Sequence, residues 1–285
     1  MDLFELLTSN LEINLTANDI GFAMLLTIIA GLSTGIGSII AYFIKKPKLS
    51  YLSLLLSLSA GVMLYVSFIE LLNTAVIDVG FACANFFFFI GIGIILLIDL
   101  IVPHAYAQET GCDLPQLIED EGKECLICPE DRNCLMRTGL FVALGIAIHN
   151  FPEGLATFSS GISGDVSLAI TIAFAIALHN IPEGISVSIP IFYATGNKKK
   201  GMLYSLLSGL SEPVGALIGL IILLPFLNIL LLSSVLAAVA GIMVYISLDE
   251  LLPNAHKFGK GKEHLVLGGL LAGMAIMAIS LLVLP

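Results

Sequence analysis

Residues 149–154 read HNFPEG, and thirty positions further on residues 179–184 read HNIPEG. In each copy the histidine and the glutamate are four residues apart, so on a helix they share one face, while the asparagine points about 100° away. Each copy lies inside an apolar segment, 138–161 for the first and 165–193 for the second. Chance similarity between apolar helices explains repeated leucines and alanines, but it does not explain a repeated polar motif. The two motifs therefore indicate a functional site shared by two related helices.

Further apolar segments surround these two. They cover residues 20–44, 51–77, 85–103, 201–225, 228–252 and 264–284. Hydrophobic residues make up 58% of the 285-residue chain, charged residues only 12%, and the mean hydropathy is +1.02, which is far more apolar than a soluble protein. Each segment is long enough to cross a hydrocarbon core of about 30 Å as a helix. We predict an all-α integral membrane protein, with eight transmembrane helices in one domain, 1–285, and the lipid bilayer as its solvent.

The basic residues predict the orientation of these helices. All twelve lie in every second connection: Lys45, Lys46 and Lys48; Lys123, Arg132 and Arg137; Lys198, Lys199 and Lys200; and Lys257, Lys260 and Lys262. Because Lys and Arg accumulate in cytoplasmic loops, we expect both termini outside, in a multi-pass protein of the cell membrane. No nucleic-acid partner is expected for this chain, whose net charge is −10.

A second internal similarity links two distant segments. Residues 60–75, AGVMLYVSFIELLNTA, align without gaps with residues 240–255, AGIMVYISLDELLPNA, and nine of the sixteen positions are identical. Under the predicted topology the two segments cross the membrane in opposite directions, and so do the segments that carry the HN-x-PEG motifs. We therefore predict inverted repeats, with spans 1–3 related to spans 6–8 and span 4 related to span 5. Inverted repeats are typical of secondary transporters, whose substrate site lies near the bilayer midplane.

The polar residues inside the spans indicate the kind of substrate. The predicted spans hold several carboxylates but no Lys or Arg, and an unpaired carboxylate at the bilayer centre costs at least ~2.5 to 3.5 kcal/mol. These groups must be protonated or neutralised by a cation from solution. Imidazole nitrogen combined with carboxylate and amide oxygen suits first-row divalent metals, and the motifs contain no Cys or Met that would favour Cu(I). The candidate ligands are His149, Asn150, Glu153, His179, Asn180, Glu183 and Glu212.

Prolines accompany each group of candidate ligands. Pro152 and Pro182 lie within the motifs, and Pro213 follows Glu212. Since a proline in a helix lacks an N–H and clashes with the carbonyl four residues back, we expect three helices to be broken at one level, around a cavity.

The longest polar connection, 104–137, contains four of the five cysteines. Its predicted cytoplasmic position argues against disulfides. Cys112, Cys125, Cys128 and Cys134 include a CxxC pair that favours a zinc site or, less readily, an iron–sulfur cluster. A polar loop with incidental cysteines is the alternative.

On these residues the chain resembles the ZIP (Zrt-, Irt-like) divalent metal transporters, over nearly its whole length. The resemblance rests on the paired motifs, on Glu212, on SLDELLP in span 7 and on eight spans with external termini. It implies uptake of Zn²⁺, with Fe²⁺, Mn²⁺, Co²⁺ and Cd²⁺ as related candidate ions, through a binuclear site by an elevator-like, alternating movement. By motif, the first site would use His149, Glu153, His179 and Glu183, with Glu212 nearby, and the second Asn150, Asn180, Glu153, Glu183 and Glu212. It further implies exit-pathway ligands among Asp99, His104, Asp249 and Glu250.

Two other functions remain open at this point. A metal-selective channel would also need a polar track through the membrane. An intramembrane metalloprotease would need HExxH, which the sequence lacks, so we expect no enzyme activity and no organic cofactor. A homodimer is an open alternative for the assembly.

Overall fold

The computed structural model describes residues 16–43, 49–101, 129–223, 226 and 228–283. Regular structure over these residues is helical throughout, in helices that we number α1 to α8. The continuous helices are α1 (Ala17–Phe43), α3 (Phe81–Ile101), α4 (Pro129–Gly161), α5 (Val166–Thr195) and α8 (Glu263–Val283). The others consist of consecutive pieces: α2 of Leu49–Val66, Ser67–Leu71 and Leu72–Val79; α6 of Lys198–Gly209 and Ser211–Leu223; and α7 of Ile229–Ile246, Ser247–Leu251 and Leu252–Gly259.

Seven helices in the described part of the chain are long and apolar enough to cross a membrane, namely α1, α2, α3, α5, α6, α7 and α8. Helix α4 is longer than any of them but less apolar, because it contains the HNFPEG motif and begins with a charged segment. Large apolar side chains such as Phe81, Phe89 and Ile221 are exposed on the outer surface, whereas many polar side chains are buried inside. This distribution fits a multi-pass membrane protein, whose exterior contacts lipid.

The two aligned segments share an unusual backbone feature. Ser67–Leu71 in α2 and Ser247–Leu251 in α7 are π-helical turns, and they occupy equivalent positions of the alignment. The Ser67 hydroxyl donates to the Met63 carbonyl at 2.7 Å, and the Ser247 hydroxyl donates to the Met243 carbonyl at the same distance. Single π-turns inside α-helices are frequently found at functional sites.

The helices pack as two bundles. Helices α1, α4, α5 and α6 pack against one another, and we call them the site bundle because they carry both motifs and Glu212. Helices α2, α3, α7 and α8 form the second group, the support bundle. The boundary between the bundles consists mainly of α2 against α5 and of α4 against α7.

Glycines allow the helices of each bundle to approach closely. A Cβ atom at Gly37 in α1 would overlap the carbonyl oxygen of Ile181 in α5, and one at Gly241 in α7 would overlap the carbonyl oxygen of Phe88 in α3. Among the described glycines whose Cβ would overlap another helix, each faces a helix of its own bundle. Small residues are the usual means of close helix packing in membranes. The helices within each bundle are therefore closely packed, whereas the boundary between the two bundles lacks such glycine contacts in the described residues.

The expectation of three broken helices is wrong for two of them. Helix α4 continues through Pro152, and α5 continues through Pro182 and Pro190. A proline removes a single backbone hydrogen bond, and close packing against neighbouring helices holds the rest of the helix in place. Only α6 is interrupted, at Leu210, shortly before Pro213.

Candidate metal centre

Seven buried polar side chains meet inside the site bundle. His149, Asn150 and Glu153 come from the second half of α4, and the corresponding three residues of α5 and Glu212 of α6 lie beside them. Each of the seven side chains is at most 1% exposed: His149, Asn150, Glu153, His179, Asn180, Glu183 and Glu212. Burial of polar and charged groups is costly unless they are paired. The structure thus brings the sequence-predicted ligands together in one cluster.

Each histidine of the cluster pairs with the glutamate of the other motif. His149 Nε2 lies 3.1 Å from a carboxylate oxygen of Glu183, and His179 Nε2 lies 3.2 Å from a carboxylate oxygen of Glu153. The pairs cross between α4 and α5, although each histidine also has a glutamate four residues along its own helix. The same arrangement therefore occurs twice, once from each motif.

The asparagines point away from the histidines, towards α1 and α6. The Asn180 amide donates to the Ala30 carbonyl at 3.2 Å and also forms a short hydrogen bond with Glu212. The Asn150 amide donates to the Ser208 carbonyl at 3.4 Å. The ligand set is thereby divided into a histidine side and an asparagine side, with Glu212 on the latter.

The charges of the cluster do not balance. Glu250 of α7 is 8% exposed and lies 3.8 Å from His149 Nδ1, which brings a fourth buried carboxylate to Glu153, Glu183 and Glu212. Two imidazoles can supply at most two positive charges, and no lysine whose side chain is described is buried. Isolated ionised carboxylates in a low-dielectric interior cost several kcal/mol each, roughly, unless they are compensated. Protons or cations would compensate this excess of negative charge.

Many of the polar atoms in the cluster have no hydrogen-bond partner. They are His149 Nδ1, Asn150 Oδ1, both carboxylate oxygens of Glu153, His179 Nδ1 and Nε2, Asn180 Oδ1, Glu183 Oε1 and Glu212 Oε2. These are the nitrogen and oxygen donors that a borderline divalent cation prefers. In this conformation no three His, Cys, Asp or Glu side chains of the described residues form a group that could hold an ion.

The residues expected along an exit pathway lie in different places. Glu250 reaches the cluster, as described above. Asp99 of α3 accepts a hydrogen bond of 3.1 Å from the Tyr245 hydroxyl of α7, and Asp249 is exposed. His104 lies outside the described residues, and so do three of the loop cysteines, Cys112, Cys125 and Cys128. Cys134 lies on α4, and its side chain is not described.

Helix α1 is the part of the site that the sequence analysis misses. Its Ala30 carbonyl binds Asn180 in the same manner as the Ser208 carbonyl of α6 binds Asn150. The signal for this role is a short similarity between GLSTGIG at 31–37 and GLSEPVG at 209–215. The predicted relation of spans 1–3 to spans 6–8 already makes α1 the counterpart of α6. Because the second of these segments contains Glu212, the comparison could have shown which residues of α1 lie at the site.

Comparison with known proteins gives the family. The sequence model described as "ZIP Zinc transporter" matches residues 130–281. The chain is 54% identical to the zinc transporter ZupT of Clostridium perfringens, over 93% of this chain and 96% of that protein. It is 50% identical to ZupT of Campylobacter jejuni, with 93% and 97% covered, and 49% identical to ZupT of Streptococcus mutans, with 91% and 96% covered.

The similarities to the relatives extend over nearly the full length of both proteins. The region matched by the family model contains the seven candidate ligands on α4, α5 and α6. The chain therefore belongs to the ZIP family of zinc transporters, a family of membrane transport proteins and not of enzymes.

Proposed function

We propose that this protein carries Zn²⁺ across the cell membrane into the cytoplasm, with the buried cluster as the site that holds the ion during transport. The observation that carries the proposal is the excess of carboxylates: Glu153, Glu183, Glu212 and Glu250 lie together with only two imidazoles to compensate them. A divalent cation supplies the missing positive charge. The relatives named above are zinc transporters, and zinc accepts both imidazole and carboxylate ligands.

The cluster is suited to two ions. His149 and His179 lie with Glu183 and Glu153 on one side, while Asn150 and Asn180 turn to the other side, where Glu212 lies. The first ion is held by the histidines with Glu153 and Glu183, and the second by the asparagines and Glu212 with the same two glutamates as bridges. Fe²⁺, Mn²⁺, Co²⁺ and Cd²⁺ accept similar ligands and are further candidate substrates.

The proposed topology has eight spans, with α4 as the eighth. Helix α4 is long enough, and its motif residues His149, Asn150 and Glu153 are buried in the cluster and do not face the lipid. His179 lies near the middle of the 30-residue helix α5, which supports a position of the cluster close to the bilayer midplane. The basic residues lie in every second connection, so both termini are outside.

Alternating access is proposed to be a movement of the site bundle against the support bundle. Glycine contacts join the helices within each bundle but, over the described residues, not across the boundary. Each bundle can therefore move as one body. The paired π-turns in α2 and α7, and the paired contacts of Asn150 and Asn180, support a chain built from two halves of inverted orientation.

Zinc influx into proteoliposomes tests this function. The purified chain is reconstituted with a zinc-sensitive dye inside the vesicles, and the initial rate is measured against the external zinc concentration. We expect a rate that saturates, because each ion must occupy the buried site. Failure of Zn²⁺, Fe²⁺, Mn²⁺ and Cd²⁺ to enter would contradict transport, and unitary ionic currents that grow linearly with concentration would support a channel instead.

A further inference from the structure

The hydroxyl group of Thr34 in α1 is a buried polar group that the site described above does not use. Thr34 is 0% exposed, and its Oγ1 atom has no hydrogen-bond partner. A buried hydroxyl normally finds a partner, because leaving it unpaired destabilises the fold. Such a group needs either a structural or a functional explanation.

The position of Thr34 relative to α6 suggests the explanation. In the similar segments 31–37 and 209–215, Gly31 aligns with Gly209, Gly37 with Gly215 and Thr34 with Glu212. The residue of α1 that corresponds to the cluster carboxylate is thus a threonine.

Contacts in the structure follow this alignment. A Cβ at Gly37 would overlap the carbonyl oxygen of Ile181, and a Cβ at Gly215 would overlap that of Phe151, the residue that matches Ile181 in the other motif. Gly31 and Gly209 face each other's carbonyl oxygens. The α1–α5 and α6–α4 contacts are therefore the same contact made twice.

The backbone carbonyl groups of Thr34 and Glu212 make equivalent contacts with the two motifs. The Thr34 carbonyl oxygen lies against Gly184 of the second motif, and the Glu212 carbonyl oxygen lies against Gly154 of the first. Both relations are so close that a Cβ on either motif glycine would overlap the oxygen. Thr34 and Glu212 thus approach the cluster from corresponding positions.

The side chain of Thr34 lies against Gly209 of α6, next in sequence to the residue that binds Asn150. Its Oγ1 is 3.0 Å from the point that a Cβ of Gly209 would occupy, and the Asn150 amide donates to the carbonyl of the preceding residue, Ser208. Glu212 contacts Asn180 on the corresponding side. Asn150 Oδ1 and Thr34 Oγ1 both lack a partner, so two neutral oxygen donors remain available on this side.

We propose that Thr34 is a further ligand residue of the metal centre. Its hydroxyl is a neutral oxygen donor that acts together with Asn150, as the Glu212 carboxylate acts together with Asn180. The two sides of the asparagine region then differ in charge, and the second ion is drawn towards Glu212. This inference rests on the function proposed above, since it assigns a role at the same site.

The first test compares Thr34→Val with Thr34→Ser in the zinc-influx assay. Valine has the shape of threonine without the hydroxyl, whereas serine keeps it. Loss of one neutral oxygen ligand should raise the zinc KM of Thr34→Val about 3-fold to 10-fold, the scale of one lost polar interaction, with little change in kcat. The zinc KM of Thr34→Ser should stay close to that of the unmodified protein. Thr34→Val should melt at the same or a higher temperature, because it removes an unpaired buried hydroxyl. If Thr34 has only a structural role, Thr34→Val should have a lower melting temperature and an unchanged zinc KM, and this result would overturn the proposal.

The second test exchanges the two residues. Glu212→Thr should weaken zinc binding about 10-fold to 100-fold, the scale of effects expected close to a metal site. The double variant Thr34→Glu/Glu212→Thr should recover most of the lost zinc affinity. Its carboxylate lies at the equivalent position of α1, beside Gly209, instead of on α6 beside Gly31. A folded exchange variant that binds no better than Glu212→Thr would contradict the proposal, and if the variant does not fold, the comparison of valine with serine decides.

Ser234→Ala is the matched control. Ser234 is also buried with an unpartnered hydroxyl, but it lies in α7, sixteen residues or about 24 Å of helix from Glu250. It should leave the zinc KM unchanged. Failure of the proposed function would appear in the unmodified protein, as absence of saturable uptake; failure of this inference alone would leave uptake intact and Thr34→Val without effect.

Discussion

His149 and Glu250 approach each other to 3.8 Å across the boundary between the two bundles. Nδ1 of the same imidazole faces Glu250, and its Nε2 lies 3.1 Å from Glu183 within the site bundle. A residue of the metal centre is thus in electrostatic contact with the support bundle. If an ion takes His149 as a ligand, it changes this contact, so we expect the occupancy of the site and the relative position of the bundles to be coupled.

We predict that Glu250→Gln shifts the protein away from the conformation described here, because it weakens the attraction between His149 and the support bundle. The shift can be measured without metal, as a change in the distance distribution between spin labels at the exposed positions Lys199→Cys in α6 and His264→Cys in α8. The five native cysteines are replaced by serine in this experiment.

Glu70→Gln provides the matched comparison. Glu70 is the residue of α2 that aligns with Glu250, at the same position of its own π-turn. If the two halves are inverted copies, Glu70 makes the corresponding contact in the other conformation, and its substitution should shift the distances in the opposite direction. Identical distributions for all three proteins would contradict the coupling.

A second prediction concerns the number of ions. If the histidines hold one ion and the asparagines another, removal of both imidazoles in His149→Ala/His179→Ala should lower the bound zinc from two ions per chain to one. Isothermal titration calorimetry on the detergent-solubilised protein, supported by elemental analysis, measures this ratio. An unchanged ratio would contradict the division of the ligands into two groups. Glu263→Gln, which alters an exposed residue paired with His256, should retain both ions.

A third prediction tests the glycine contacts. Gly37→Ala should lower stability, because the new Cβ would overlap the Ile181 carbonyl oxygen, and overpacking a tight contact costs about 1 to 3 kcal/mol. Gly93→Ala in α3 is the control, since no atom lies within 4 Å of its Cβ, and it should be neutral or stabilising by up to about 1 kcal/mol. Thermal unfolding at one scan rate compares them. Equal melting temperatures would show that α1 and α5 can separate at little cost.

A fourth prediction concerns the cysteines of the polar loop. Replacement of Cys112, Cys125, Cys128 and Cys134 by serine should leave zinc binding at the buried cluster intact, because none of these cysteines is among the seven candidate ligands. Titration with zinc measures the remaining sites. Loss of all bound zinc in this variant would place the principal site in the loop, and Cys83→Ser in α3 serves as the control.

The sequence predicted the cluster well because its signal is local. A histidine and a glutamate four residues apart share one helix face wherever the helix lies, and apolar segments of about 20 residues identify membrane helices from composition alone. All seven predicted ligands therefore meet in the structure. The family resemblance is confirmed by the comparisons for the same reason, since the motifs that carry it are short and continuous.

The remaining features depend on contacts between distant parts of the chain. Pairing of His149 with Glu183, and not with Glu153 on its own helix, follows from the packing of α4 against α5. The approach of Glu250 follows from the packing of α7 against α4. The prolines were misjudged because a local rule for isolated helices ignores the close neighbours that keep α4 and α5 continuous. The predicted repeat related span 1 to span 6, but the contribution of α1 to the site was missed, since the similarity between the two helices is confined to seven residues.

The central claim is that ions cross the membrane through the buried cluster. The most direct test is the initial rate of zinc influx into proteoliposomes that contain equal amounts of the unmodified protein or of Glu183→Gln, which keeps the size of the side chain but removes its charge. The account predicts saturable influx for the unmodified protein and a loss of at least about tenfold for Glu183→Gln. Influx through Glu183→Gln at the unmodified rate, over the whole range of zinc concentration, would contradict it.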